Sequence, residues 1–224
     1  MTKGIMHTQI QGPAVAVDTV VLGIQDGKLK TLILKIGDGE YREKWAVPGG
    51  LINLSESPEE AALRALSKKT NIKVGHLEQL YTFGKPDRDV RGQIISIAYF
   101  LLVSNIDKYR IKSTDFYQEI RWQDVNDLPE MAFDHKEIVR FAKERLQNKI
   151  NYSNIAYSLL PKEFSLTDLQ RLYETIWGKS VDKRNFRKRM LGLGLLEESG
   201  NFQRAAFRPA KLYRFGTNKL VFFE

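Results

Sequence analysis

Residues Gly50 to Ile72, GLINLSESPEEAALRALSKKTNI, join a glycine turn to a strongly signalled helix, and their reading decides the fold. Ser57 supplies a capping oxygen, Pro58 has its φ preset for the first helical position, and Glu60 is spaced to close a capping box. The spacing predicts a helix from there to about Thr70. Just upstream, Lys44 to Val47 leads into Pro48-Gly49-Gly50 and then Leu51-Ile52-Asn53, a short strand broken by glycines. Along the helix, positions 65, 68 and 69 recur at spacings of three and four and share one face, which carries Ala65, Lys68 and Lys69.

Working outward, Ala14 to Ile24 is rich in β-branched residues, Asp26-Gly27 supplies a turn, and Leu29 to Ile36 reads as the hairpin partner. On the other side, Leu77 to Phe83 and Ile94 to Val103 read as strands around a polar loop, Gly84 to Gly92. Glu119 to Trp122 reads as a further short strand. Phe133-Asp134-His135 opens a helix to about Lys149, with Ile138, Val139, Phe141 and Leu146 as its apolar stripe and Asp134 as the simplest cap. A first domain over residues 1–150 is expected to end there.

Residues 151–224 read as a second domain. Ser165 to Trp177 makes a helix with Leu166, Leu169, Leu172, Tyr173 and Ile176 on one stripe, and Gly178 ends it. Lys183-Arg184-Asn185-Phe186-Arg187-Lys188-Arg189-Met190-Leu191 makes a second, anchored by Phe186 and by Met190 or Leu191 and densely basic elsewhere. Helix, short turn and basic helix is the helix-turn-helix order, in which the second helix enters the major groove. Leu193 to Glu198 and Lys211 to Phe215 then read as strands of a wing, bracketing Arg204 and Arg208. Lys183, Arg184, Asn185, Arg187, Lys188, Arg204, Arg208 and Lys211 are the candidate DNA contacts.

Charge distribution agrees with that assignment. The chain of 224 residues carries a net charge of +8, and from Asn151 onward thirteen Lys/Arg stand against seven Asp/Glu. About three quarters of the excess therefore sits in the last third, which points to a polyanion partner for that segment. Cysteine is absent, excluding disulfides, thiolate nucleophiles and cysteine-ligated zinc, and His7, His76 and His135 are too scattered to suggest a histidine metal site. No apolar run approaches the roughly 20 residues that span a bilayer, so a cytoplasmic protein is expected.

Gly50, Glu56, Arg64, Leu66 and Ile72 fall where the Nudix box, G-x5-E-x7-R-E-U-x-E-E-x-G-U with U aliphatic, wants them. Trp45-Ala46-Val47-Pro48-Gly49-Gly50 resembles the usual lead-in. The resemblance implies a Nudix-type α/β/α sandwich with a mixed sheet and, with the second domain, an α+β chain ending in a winged helix-turn-helix. The family's hydrolysis depends on carboxylates that hold divalent metals, and Ala65, Lys68 and Lys69 stand at those positions, with Asn71 for the closing glycine. Exchanging two carboxylates for two lysines changes the local charge by about four units, which opposes magnesium. Neither hydrolysis, nor a metal, nor a cofactor is expected.

Several site residues have two readings. Glu56 and Arg64 contact a ligand, or pair with each other; Lys68 and Lys69 hold a phosphate, or form a solvated face. Arg88 and Arg91, in Lys85-Pro86-Asp87-Arg88-Asp89-Val90-Arg91-Gly92, suit phosphates or sugar hydroxyls, or belong to a solvated turn. Trp45 stacks on a base or sugar, or is core.

Asp182 to Arg189 and Arg208-Pro209-Ala210-x-Leu212-Tyr213 resemble the recognition helix and wing of the NrtR group of Nudix-related transcription regulators. Ala206-Phe207 stand where that group often has Arg-Gly. Asp87-Arg88-Asp89 and Phe133-Asp134-His135 also resemble group motifs, which favours ligand-site roles for Arg88, Asp134 and His135. The resemblance implies a homodimer reading duplex operator half-sites about one DNA turn apart. It also implies a small-molecule effector: ADP-ribose or a related nucleotide controlling NAD metabolism in one branch, a pentose such as arabinose in another. Lys68, Lys69, Arg88 and Arg91 could neutralise a diphosphate, which favours the nucleotide. The rival class is an active Nudix hydrolase of a nucleoside diphosphate derivative, using Glu56, Glu59 or Glu60.

Overall fold

The computed structural model describes residues 12–69, 72, 76–109, 117–203 and 209–223. The first strand, β1 (Ala14–Gln25), is the spine of a mixed sheet. Its second half forms a hairpin with β2 (Lys28–Ile36). Two short strands follow, β3 (Trp45–Ala46) on β2 and β4 (Gly49–Leu51) on the start of β1. After helix α1 (Pro58–Lys69) come β5 (His76–Phe83), β6 (Ile94–Leu102) and β7 (Tyr117–Asp124). β6 runs parallel to β1 from Ala14↔Ile94 to Leu22↔Leu102, and every other pairing in this seven-stranded sheet is antiparallel.

Two helices cover the sheet, and the alternation of side chains shows which face each takes. Val17, Val21, Tyr99 and Leu101 pack with Ala61, Ala62 and Leu66 of α1, whereas Val20, Leu22, Phe100 and Leu102 pack with Ile138, Val139, Ala142 and Leu146 of α2 (His135–Lys149). With both faces covered, β1 is buried continuously from Ala16 to Gly23. That explains its near-unbroken apolar sequence, since a strand with one solvated face would alternate with polar residues. The expected α/β/α sandwich is therefore the observed architecture.

The second unit is smaller. β8 (Phe164–Ser165) leads into α3 (Leu166–Trp177), α4 (Lys183–Gly192) and the hairpin of β9 (Leu196–Gln203) and β10 (Ala210–Phe215), giving a three-stranded sheet in the order β8-β10-β9. This is the winged helix-turn-helix arrangement. Ser165 and Asp168 close a reciprocal capping box, Gly178 ends α3 at φ 68, and Asp182 Oδ1 accepts from the Asn185 N–H at 2.8 Å to start α4. The first wing strand begins three residues later than expected, because Leu193 caps α4 and Gly194 (φ 65) turns the chain before β9 can pair.

The apolar cluster beneath α2 continues without a break into Leu166, Leu169, Leu172, Tyr173, Ile176, Phe186, Met190 and Tyr213. The two units thus share one core. The chain's last described segment also returns to their junction: Asn154 N–H donates to Val221 O at 3.0 Å, Val221 N–H to Asn154 Oδ1 at 2.7 Å, and Phe223 N–H to Tyr152 O at 2.8 Å. Among the described residues no helix is long and apolar enough to cross a membrane.

Candidate functional site

Where β1 passes between β4 and β6, the chain encloses a cavity of about 670 Å³, within the range of small-molecule sites. Its floor is a buried polar knot. Asp18, in the middle of the apolar β1, accepts from Ser96 Oγ at 2.6 Å and lies 3.3 Å from Arg88 Nη2 and 3.2 Å from His135 Nε2. Arg88 also donates to both oxygens of Asp134, from Nε at 3.0 Å and from Nη2 at 2.6 Å. His135 Nδ1 accepts from the Val47 N–H at 3.1 Å, which leaves Nε2 to carry the ring proton toward Asp18. Burial opposes ionisation of Asp18, but His135, the Ser96 hydroxyl and Arg88 outweigh it and hold the carboxyl well below the usual range.

Backbone geometry serves the same knot. Gly49 pairs with Asp18 across β1 and β4, and a Cβ there would stand 2.1 Å from Asp18 Oδ1 and 2.6 Å from Val17 O, so only glycine fits. Phe133 sits at φ 54, a conformation that costs a non-glycine residue roughly 1–2 kcal/mol. It turns the chain so that Asp134 and His135 enter the site together. Asp134 was the expected helix cap, and the structure corrects this: it makes no side-chain cap bond, because Arg88 takes its carboxylate.

Above the knot, Arg91 lines the cavity, half-exposed, bonded through Nε and Nη2 to the buried Asp89 and lying 5.2 Å from the Phe133 ring centre. The Tyr41 ring packs 4.1 Å from Phe133, and its hydroxyl accepts from the Val90 N–H at 3.0 Å, tying two cavity loops together. The α1 wall contributes Arg64 and the buried Ala65. Arg64 donates to Glu56 from Nε at 2.8 Å and from Nη2 at 2.5 Å, and to Leu51 O at 2.9 Å. Asn53 N–H also donates to Glu56, at 2.6 Å. The Arg64 bonds, then the Asn53 amide, lower the Glu56 pKa to about 2.

The sequence candidates thus separate. Arg64, Arg88, Arg91 and His135 line the cavity, with Asp134 bonded to Arg88 behind the wall. Glu56 stands outside the lining, held by Arg64. Trp45 packs into the core with Arg121 4.1 Å above its ring, and its place in the strand rather than the glycine turn is what points it inward. The side chains of Lys68 and Lys69 lie outside the described residues. Glu60 Oε2 accepts from Ser57 N–H at 2.7 Å, the cap its spacing predicted. Asp18, Ser96 and Tyr41 were not singled out from sequence, and Asp89 entered only within the Asp87-Arg88-Asp89 motif. For Asp18 a signal existed: a lone carboxylate inside a run of β-branched residues demands buried partners. Among the described residues no group of three His, Cys, Asp or Glu side chains could hold a metal ion.

On the second unit, α4 buries Phe186 against Tyr173, ring centres 5.1 Å apart, and buries Met190 beside it. Its opposite side exposes Arg184, Asn185 and Lys188, and Lys183 is exposed at its first turn. Arg187 is half-buried, with Nη2 on Thr167 Oγ1 at 3.3 Å, so it leans toward α3. Lys211 is exposed on the wing and paired with Glu198 at 2.9 Å. Arg204 and Arg208 lie outside the described residues.

These two units match known families in the same order. The NUDIX domain family matches residues 13–141, and the NrtR DNA-binding winged helix domain matches residues 156–215. A protein of Acinetobacter baylyi named "ADPR responsive transcriptional repressor NtrR" is 34% identical over 91% of this chain and 82% of its own length. The chain is also similar to an "ADP-ribose pyrophosphatase" of Methanocaldococcus jannaschii, 35% identical over 57% of this chain and 72% of that protein. Shewanella oneidensis NrtR, solved in complex with a 27mer DNA, superposes with a TM-score of 0.79 at 32% identity, covering 90% of this chain and 93% of that one. The NUDIX domain of that protein, solved with ADP ribose, covers 65% of this chain and 99% of its own, with a TM-score of 0.57 at 29% identity. By domain content and by full-length similarity, the chain belongs to the NrtR family, a Nudix domain followed by an NrtR winged helix.

Proposed function

We propose that the protein is an ADP-ribose-responsive, DNA-binding transcriptional repressor whose Nudix domain, residues 1–150, is a receptor and whose residues 151–224 form the DNA-binding domain. The observation that carries the reading is the α1 wall of the cavity. Ala65 faces the cavity where the Nudix pattern puts a metal-holding glutamate, and Lys68 and Lys69 replace the other two. At those three positions the sequence offers no carboxylate to hold a metal ion against a diphosphate. Arg64 and Arg91 line the cavity with one guanidinium edge held by Glu56 and Asp89 respectively, and their other N–H groups are the donors for it, with Lys68 and Lys69 as further charge. Arg88 is nearly fully enclosed by Asp18 and Asp134, so its part is to fix the floor.

On the DNA side, the exposed Arg184, Asn185 and Lys188 of α4, with Lys183 at its first turn, enter the major groove, with Arg187, Lys211, Arg204 and Arg208 supplying backbone contacts. The protein works as a homodimer, since paired half-sites require two such helices. Glu56, the one Nudix-box glutamate retained, is satisfied by Arg64 and Asn53, which leaves it no role as a magnesium ligand or base.

The test uses a duplex selected by the protein itself from a random-sequence library. Fluorescence anisotropy should show binding to that duplex, and ADP-ribose, but not arabinose, should change its affinity. A response to arabinose alone would replace the nucleotide by a pentose. Magnesium-dependent conversion of ADP-ribose to AMP and ribose 5-phosphate, lost in Glu56→Gln, would replace the receptor by a hydrolase.

A further inference from the structure

The helix α2 touches the cavity at one end and the DNA-binding unit at the other. Its first residues belong to the polar knot: Asp134 is bonded twice by Arg88, and His135 holds both the Val47 N–H and Asp18. At its last turn, Gln147 Nε2 donates to Ile176 O of α3 at 2.7 Å. Two residues beyond the helix, Asn151 O accepts from Arg189 Nη2 of α4 at 3.1 Å. Asn151 Nδ2 in turn donates to Gln147 O at 2.9 Å, closing a small network at the junction. The helix of 15 residues spans about 22 Å at the usual rise, so the two sites lie at opposite ends of one stiff element.

We infer that α2 carries the effector's signal, and that Gln147 and Arg189 are the positioning residues that convert its movement into a new setting of α4. This rests on the functional reading above. A ligand in the cavity changes the surroundings of Arg88 and His135, which hold the first turn of α2. Glu78 of β5 pairs with Arg145 at 3.3 Å and Lys149 at 2.5 Å, anchoring the far half of the helix to the sheet. A displacement of the first turn therefore reaches the last turn as a rotation about that anchor. Bonds to backbone carbonyls of α3 and of the connector transmit it, because carbonyls move only with their own elements. Arg189 is on the recognition helix yet bonds backward, away from the exposed Arg184 and Lys188, which a phosphate-contacting role leaves unexplained.

The quantity that isolates this role is the coupling ratio, the duplex dissociation constant with saturating ADP-ribose divided by that without it. A change in intrinsic DNA affinity cancels from the ratio, and linkage requires DNA to change ADP-ribose affinity by the same factor. Full-length Gln147→Ala, Gln147→Met and Arg189→Gln are compared with wild type, and ADP-ribose affinity is measured by calorimetry without DNA. The expected result is DNA-free ADP-ribose affinity within about twofold of wild type in all three variants, and a coupling ratio moved at least about fivefold toward one. Gln147→Met keeps side-chain length and bulk, so it reports even if the alanine variant folds poorly. A wild-type ratio retained in folded Gln147→Met and Arg189→Gln overturns the inference alone. A wild-type ratio of one overturns the functional reading itself.

Discussion

Arg88 and Asp134 meet edge to edge, Nε on Oδ2 at 3.0 Å and Nη2 on Oδ1 at 2.6 Å, with both side chains almost wholly buried. The same Nη2 faces Asp18 Oδ2 at 3.3 Å, so one guanidinium is shared between two carboxylates. Removing a partner from a buried pair leaves an uncompensated charge, which costs about 3–5 kcal/mol. Arg88→Met should therefore lose about that much stability in urea unfolding. A loss within the scatter of surface substitutions would mean that the knot does not hold the floor.

Acid should unfold the protein partly through Asp18. Its folded pKa lies below the unfolded value of about 3.9, so its contribution is complete above that pH and is lost as pH falls toward the folded value. Glu56, lowered to about 2, acts in the same direction and the same window. Stability between pH 7 and about 5 should be insensitive to both groups and should fall below about pH 4. In Asp18→Asn, which starts less stable, the fall should be shallower; an equal slope would exclude Asp18 as its source.

Glu56→Gln tests the remaining Nudix glutamate. Arg64 loses its charged partner while the Asn53 amide keeps an acceptor, so the melting temperature should drop by a few degrees with ADP-ribose still bound. Magnesium should leave the melting temperature of wild type and variant alike unmoved. A magnesium-dependent rise in the wild type, abolished in the variant, would identify Glu56 as a metal ligand.

Lys188→Ala removes an exposed cation from the α4 face without touching its core anchors, Phe186 and Met190. If Lys188 contacts a phosphate, the slope of log affinity against log salt should become shallower by about 0.9 for each protomer on the duplex, about 1.8 for the homodimer, with affinity reduced on every duplex alike. An unchanged slope would remove Lys188 from the interface.

Much of the fold was legible because its signals are local. The Ser57/Glu60 capping box, the turn at Asp26-Gly27, the helix end at Gly178 and the apolar stripes of α2 and α3 sit within a few residues of what they specify. The wing and the basic face of α4 were legible for the same reason. The site was less so, since its decisive contacts are distant in sequence: Arg88 lies 70 residues from Asp18 and 46 from Asp134. Asp134 at a helix start carries the local signature of a cap, and only the tertiary position of Arg88 decides otherwise. Trp45 likewise looks available beside a glycine turn, yet pairing of β3 with β2 turns it into the core. The return of the last segment to Asn154 has no sequence signature at all.

Reception of ADP-ribose by the Nudix domain without cleavage, as proposed, can be read from one titration. Wild-type protein on its selected duplex is titrated with ADP-ribose in the presence of magnesium, duplex affinity is followed by anisotropy, and the nucleotide is recovered and chromatographed afterwards. The expected result is a change in duplex affinity of about 5- to 150-fold, the usual span of allosteric coupling, with the ADP-ribose recovered intact. AMP accumulating in proportion to time and enzyme, with duplex affinity unaltered, would contradict it.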